Sequence, residues 1–222
     1  MSKSACLKTL TVSILGLLVS SSSVFGTIFA LNNISGANSA IITTTPPNPV
    51  TQNPNDGILL AWNEIQNHTL ISDIKVDRVF DQNASFVEAV SGGYVLKAGT
   101  VVSSHYFQWD PGNGSATRVS GTIQLDAQVF AVLTADQNLF DSDFLGLPGV
   151  NYNDFTLRGI ESGDTTTFNG SDLDFSWFTG SPGDWVRVLS AYSPIASIPE
   201  PSSQVGLLGL LSFTLVLRRR RL

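Results

Sequence analysis

The sequence predicts an all-β protein: an antiparallel, jelly-roll-like β-sandwich set between an N-terminal signal helix and a short C-terminal transmembrane helix. Three observations carry this reading. Between residues 57 and 193, short runs rich in Val, Ile, Phe, Thr, Trp and Tyr recur between turn residues. No dozen consecutive residues in that region keep a convincing helical period. The two most sustained apolar runs, 10–19 and 205–217, stand near the ends of the chain, each with basic residues on one side.

Residues 1–30 read as a signal peptide. Lys3 and Lys8 form a basic start, and "LTVSILGLLV" forms an apolar stretch of ten residues, within the usual ~7–15. "SSSVFG" then supplies the small residues that signal peptidase takes, and cleavage after Gly26 or after Ala30 fits them. Cys6 is the chain's one cysteine and precedes the apolar stretch, so the lipoprotein arrangement is excluded. A mature body has no cysteine, hence no disulfide, zinc-thiolate site or cysteine nucleophile.

Residues 31–56 read as a disordered leader or linker. "LNNISGANSAIITTTPPNPVTQNPNDG" is rich in Asn, Thr and Ser, carries Pro46, Pro47, Pro49 and Pro54, and shows no period that would pack it.

Residues 57–193 form the sandwich domain. Strands are predicted over 58–65, 69–76, 94–97, 101–109, 117–126, 129–134, 155–158, 165–168, 173–178 and 185–190. In "VSGTIQLD", Val119, Ile123 and Leu125 share one face while Thr122 and Gln124 share the other, the period of a half-buried strand. "DPGNGS", "SGG", "NGSD" and "SPGD" separate the runs with turn chemistry. One short helix is predicted near 134–146, capped by Thr134 or Asp136.

Residues 194–222 form a tail. The apolar run 205–217 has 13 residues, which as a helix reach about 20 Å against a hydrocarbon core of ~30 Å. Such a segment is a marginal membrane span. Arg218, Arg219, Arg220 and Arg221 close it and favour the cytoplasmic side. Pro199, Glu200 and Pro201 stand before it. Two prolines hold that strip extended, and the carboxylate keeps it at the membrane surface.

The combination of Pro199-Glu200-Pro201, a short span, an arginine cluster and an N-terminal signal peptide closely resembles the PEP-CTERM sorting signal of exosortase-containing bacteria. The resemblance covers about the last 25 residues and not the body. It implies a Gram-negative host that makes extracellular polysaccharide. The implied partners are signal peptidase and an exosortase-type membrane protease that recognises and cuts the tail. The implied course is an exported precursor anchored in the inner membrane, then a body at the cell surface or outside the cell. A Leu-Pro-x-Thr-Gly sortase motif is absent, and the arginines argue against a glycolipid-anchor signal.

Charge narrows the partners of the body. Residues 31–198 hold six basic side chains against 17 acidic ones, a net charge of −11. Such a surface repels phosphate backbones, which excludes nucleic acid as the expected partner.

Two constellations in the body carry candidate chemistry. Asp136, Asn138, Asp141 and Asp143 put four oxygen-bearing side chains within eight residues, the donor type calcium takes, although the spacing is not that of an EF-hand. The simpler alternative is a solvated acidic loop. His105, Tyr106, Trp109 and Asp110 combine stacking rings with hydrogen-bonding groups, as a carbohydrate-binding face does; the alternative is core aromatics followed by a Pro-Gly turn. Hydrolysis has no motif behind it: no Gly-x-Ser-x-Gly, no His-Glu-x-x-His and no Gly-rich phosphate loop occur. The expected role is therefore a non-catalytic envelope or exopolysaccharide (biofilm) matrix component, without a cofactor unless calcium is bound. The alternatives are a carbohydrate- or calcium-binding module and a secreted hydrolase.

Overall fold

The computed structural model describes residues 28–51, 54–112, 116–152, 158–160, 163–180 and 182–196. The chain divides into two units, Val24–Pro199 and the pair of ends Met1–Ser23 with Glu200–Leu222. The signal helix, the transmembrane helix and the sorting motif expected from sequence all lie outside the described residues. Among the described residues, no helix is long and apolar enough to cross a membrane.

The body is all-β, as the alternation and turn chemistry predict. Its strands are β1 (Ile28–Ser35), β2 (Ser39–Ile42), β3 (Ile58–Asn63), β4 (His68–Thr69), β5 (Ile74–Val76), β6 (Arg78–Val79), β7 (Val87–Val90), β8 (Gly93–Leu96), β9 (Val101–Trp109), β10 (Thr117–Leu125), β11 (Val129–Leu133), β12 (Thr165–Asn169), β13 (Asp172–Thr179) and β14 (Asp184–Ser190). Among the described residues, one helix, α1 (Asp136–Asp141), and a 3-10 turn (Asp143–Leu145) interrupt them.

Among the described residues, three sheets result. The largest has the order β2-β3-β9-β14-β11-β6, with β4 added on β9; the second is β1-β10-β13-β12; the third is the small sheet β5-β8-β7. All pairings are antiparallel except β2 with β3, which is parallel. β9 and β14 sit at the centre of the largest sheet and are buried along nearly their whole length. Alternate residues of these strands feed two separate cores, as the pleat requires. Phe107, Trp109, Val186 and Val188 meet Val119, Ile123, Leu173, Phe175 and Trp177 of the four-stranded sheet. Tyr106, Trp185 and Leu189 point the other way and meet Leu96 of the small sheet, Leu139 of α1, Leu145 and Tyr152.

Several sequence expectations are corrected. Residues 31–56 are not a structureless leader: β1 lies mostly within them, and β2 wholly so. β1 is an edge strand with register shifts, so its Asn and Ser residues break the alternation that would have marked it. Gly36 closes the turn after it at φ +89°, where a Cβ would collide with the Arg118 carbonyl. Further along, Val50 is fully buried and its N–H donates to the Asn151 carbonyl, so the proline-rich strap is packed down. The run 69–76 is two strands, β4 and β5, and β6 and β7 were not anticipated. Of the expected strand 155–158, only Arg158 lies within the described residues.

The helix is shorter than 134–146, and neither expected cap caps it. Ala135 is the N-cap residue and makes no side-chain capping bond. The Thr134 and Ala135 N–H groups donate instead to Asp77 Oδ2, at 2.6 and 2.9 Å. Asp136 Oδ1 accepts the N–H groups of Arg158 and Gly159.

Candidate functional site at the junction of body and tail

The four residues read as calcium ligands are engaged with protein groups. Asp136 holds the Arg158–Gly159 backbone. Asn138 donates through Nδ2 to Asp77 Oδ1 at 2.7 Å. Asp141 accepts from Gln137 Nε2 at 2.8 Å. Asp143 accepts from two arginines. Among the described residues, no group of three or more His, Asp or Glu is arranged to hold a metal ion.

The residues read as a carbohydrate-binding face are buried. His105, Tyr106, Trp109 and Asp110 are all at most 1% exposed, so none presents a ring or a polar group to an external sugar. Sequence alternation could not reveal this, because β9 is covered on both faces and its polar residues are satisfied internally. His105 Nδ1 lies 3.0 Å from Asn63 Oδ1, which also accepts the Ile28 N–H. Nδ1 therefore carries the ring proton, and Nε2 accepts from the Ser190 hydroxyl at 3.0 Å. Burial pushes the His105 pKa down to about 3.

A buried ionic cluster joins α1 to the largest sheet. Arg187 makes a two-pronged pair with Glu64, Nε to Oε2 at 2.7 Å and Nη2 to Oε1 at 2.9 Å, with both side chains fully buried. Its Nη1 donates to the Leu139 carbonyl and the Ser142 hydroxyl. Asp143 takes Arg187 on one oxygen and is gripped by Arg158 on both, at 2.8 Å each. Arg158 also donates to the Tyr106 hydroxyl. Two guanidinium and two carboxylate groups cancel, which is the condition for burying them. Burial raises the pKa of the Tyr106 and Tyr152 hydroxyls. Burial alone would lower that of Arg187, but Glu64, Tyr106 and Asp143 together more than offset it and the net shift is upward. Glu64 and Arg187 are sealed from solvent, and the cluster's charged groups are spent on one another and on the backbone. The cluster fastens α1 and the 3-10 turn to the largest sheet.

The chain leaves the body through a second polar device. Asn67 grips Ser193 on both sides of its backbone: Oδ1 accepts the Ser193 N–H at 2.6 Å, and Nδ2 donates to the Ser193 carbonyl at 3.0 Å. Asn67 itself is in the left-handed region at φ 53°, which Asn tolerates better than most residues. Asp126 Oδ2 accepts from the Ser193 hydroxyl at 2.6 Å and from the Ile195 N–H at 3.3 Å. The Ala196 N–H donates back to Ser193 Oγ at 3.2 Å. Pro199 follows Ala196 by three residues in the sequence.

The start of the body comes to the same end of the fold. Ile28 pairs with Leu125, the residue before Asp126. Its N–H donates to Asn63, and Asn63 contacts the histidine whose other nitrogen meets Ser190, the last residue of β14. One pole of the sandwich thus receives the chain from residue 27 and releases it at residue 196.

Residues 197–221 match the family model of the PEP-CTERM protein-sorting motif.

The match begins one residue after the last clasped position and contains Pro199, Glu200, Pro201 and all four terminal arginines. It bears out the resemblance read from those residues. A PEP-CTERM tail implies an exported chain with a membrane-anchored sorting signal that an exosortase-type membrane protease recognises. No curated protein and no solved structure matches the chain.

Sequence reasoning found the tail and missed both polar devices. The ionic cluster had a faint signal: "DWVRVLS" places a lone Arg187 among apolar strand residues, in a body with only six basic side chains. Asn67, Asp126 and Ser193 had none, because their meeting depends on pairings across the sheets.

Proposed function

We propose that this protein is a non-catalytic body displayed at the cell surface or outside the cell, an envelope or exopolysaccharide-matrix component delivered by its PEP-CTERM tail. The match over residues 197–221 is the observation that carries the reading. The clasp adds support. It holds the chain to Ala196 by side-chain bonds, three residues before Pro199 in the sequence. A body with both ends at one pole suits a precursor tethered on both sides before processing. Mass spectrometry of the native protein's C-terminus tests the reading. A terminus near Pro199–Pro201 is expected, and arginines retained on mature cell-derived protein would overturn it.

A second reading, a carbohydrate-binding module, has one observation in its favour. An open groove of about 610 Å³, a size suited to a small ligand, lies beside the exit of the chain. Phe86, Phe130 and Tyr192 line it together with Lys97 and Thr100. Glycan-array binding that is lost in Tyr192→Ala would favour this reading over a purely structural body.

A further inference from the structure

Asn-x-Ser/Thr sequences occur at Asn33, Asn67, Asn83, Asn113 and Asn169, and the fold treats them differently. Asn113 lies outside the described residues. Asn67 is the clasp residue, its side-chain amide spent on Ser193. Asn33 lies in β1, and the Ser35 of its sequence pairs with Ser120 of β10. Asn169 ends β12, and the two residues after it are tied down: the Gly170 carbonyl accepts the Val129 N–H, and the Ser171 carbonyl accepts the Leu125 N–H. Presenting Asn33, Asn67 or Asn169 to an enzyme would therefore break bonds that hold the fold.

Asn83 is exposed in the loop between β6 and β7, with Asp81 and Ser85 exposed on either side of it. The loop is pinned at both ends. The Phe80 N–H donates to the Phe130 carbonyl at 3.0 Å, and the Phe86 carbonyl accepts the Lys97 N–H at 2.9 Å. Between those pins the bonds are local: the Asn83 N–H donates to Asp81 Oδ1 at 2.9 Å, and the Ala84 N–H to the Asp81 carbonyl at 3.3 Å. Lifting residues 81–85 undoes no strand pairing. Asn83 is also the one of the five with a carboxylate two positions before it, where the others have Leu31, Ile65, Pro111 and Thr167. A carboxylate so placed offers an enzyme cation a fixed handle beside the acceptor amide. There is room for a sugar next to the loop. Phe80, Ala84, Phe86 and Phe130 line a hollow of about 120 Å³, and Ser85, Phe86 and Phe130 also line the open groove of about 610 Å³.

We propose that Asn83 is the acceptor of an N-linked oligosaccharide, added outside the cytoplasm by a membrane-bound oligosaccharyltransferase from a polyprenyl-pyrophosphate-linked donor. The inference rests on the reading of the chain as exported. Asn83 Nδ2 forms a bond to C1 of the donor's first sugar. The bond from C1 to the pyrophosphate oxygen breaks, and its electron pair stays with the phosphate. The proton lost from Nδ2 passes to a carboxylate of the transferase. The Ser85 hydroxyl, two residues on, seats the amide in the enzyme, and Asp81 supplies the charged handle. The attached sugar then stands beside the groove, with the rings of Phe86 and Phe130 as an apolar floor.

The test is glycopeptide mass spectrometry on the protein purified from the cells that make it. Trypsin releases residues 79–97 as one peptide, which holds this acceptor sequence and no other. Sugar mass on that peptide is expected, mapped to Asn83 by electron-transfer fragmentation. Asn83→Gln and Ser85→Ala should abolish it, and Ser85→Thr should keep it. Asp81→Ala should lower occupancy several-fold while Asp81→Glu holds it; unchanged occupancy in Asp81→Ala overturns the role of the carboxylate. Sugar on Ser85, or sugar confined to Asn33, Asn67, Asn113 or Asn169, overturns the assignment. So does a bare Asn83, and the C-terminus of the same sample shows what falls with it. On chains that end near Pro199–Pro201, a bare Asn83 overturns the glycan alone. On chains that keep the arginines, it overturns the export reading as well.

Discussion

The two faces of the largest sheet are covered by different means. On one face lies another sheet, and the contact is almost wholly apolar: Phe107, Trp109, Val186 and Val188 against Val119, Ile123, Phe175 and Trp177. On the other lie a six-residue helix, a 3-10 turn, a three-stranded sheet and a strap, and an ionic cluster runs through the contact. A sheet satisfies its own backbone groups, so only oily side chains need face inward. Short irregular elements leave carbonyls and N–H groups open. Arg187 takes up the Leu139 carbonyl, Asp136 takes up two N–H groups and Asp77 takes up two more. The difference teaches that charge is buried here where regular pairing ends.

That comparison can be broken most directly at Arg187. Arg187→Met strands Glu64 as an uncompensated buried charge, and a loss of about 3–5 kcal/mol is expected, measured by urea unfolding. Adding Glu64→Leu to it should recover part of the loss, since removing both partners leaves neither of their charges buried alone. A double variant as unstable as the sum of its singles would sink the idea that the cluster acts as a unit. On the apolar face, Trp177→Ala should also cost about 3–5 kcal/mol, there by cavity formation.

The next effect is set by pH. His105 is neutral in the fold, with its pKa depressed by burial to about 3 from the ordinary 6.5. The unfolded chain therefore binds the extra proton first. Stability is full above pH 6.5 and falls as pH drops toward 3, by up to ~1.4 kcal/mol per pH unit and about 2 kcal/mol between 6.5 and 5. His105→Gln should flatten that slope in denaturant titrations at stepped pH, and an unchanged slope would assign it elsewhere.

Smaller still is the clasp. Asp126→Ala should cost about 1–2 kcal/mol and speed hydrogen exchange at the Ile195 and Ala196 amides, leaving the cores untouched. Exchange unchanged at those amides would mean that the exit of the chain is held by something other than Asp126. At the bottom of the range, Lys97→Ala removes an exposed pair with Glu88 at 3.6 Å, and under 1 kcal/mol is expected.

Much of the fold was legible. β9 coincides with the run 101–109, and β10, β11, β12, β13 and β14 fall within one or two residues of their expected bounds. Those strands are bounded by Gly, Pro and Asn turns, whose backbone preferences act locally. β1 and β2 were missed because an edge strand in a polar sequence is defined by its neighbour and not by its own pattern. The carbohydrate face was misread for the opposite reason: Tyr106 and Trp109 have the chemistry of a binding surface, but a second layer covers each side of β9.

By itself, the sequence determined the β character of the body, its acidity and the PEP-CTERM tail, because strand period, net charge and a linear protease signal are each written within short spans of chain. Only the tertiary structure decided which polar residues are buried, how Glu64 finds Arg187 across 123 positions, and that Ile28 and Ser193 are both held at the Leu125–Asp126 end of β10. Those facts depend on register between distant strands, and register is settled by packing the whole core at once.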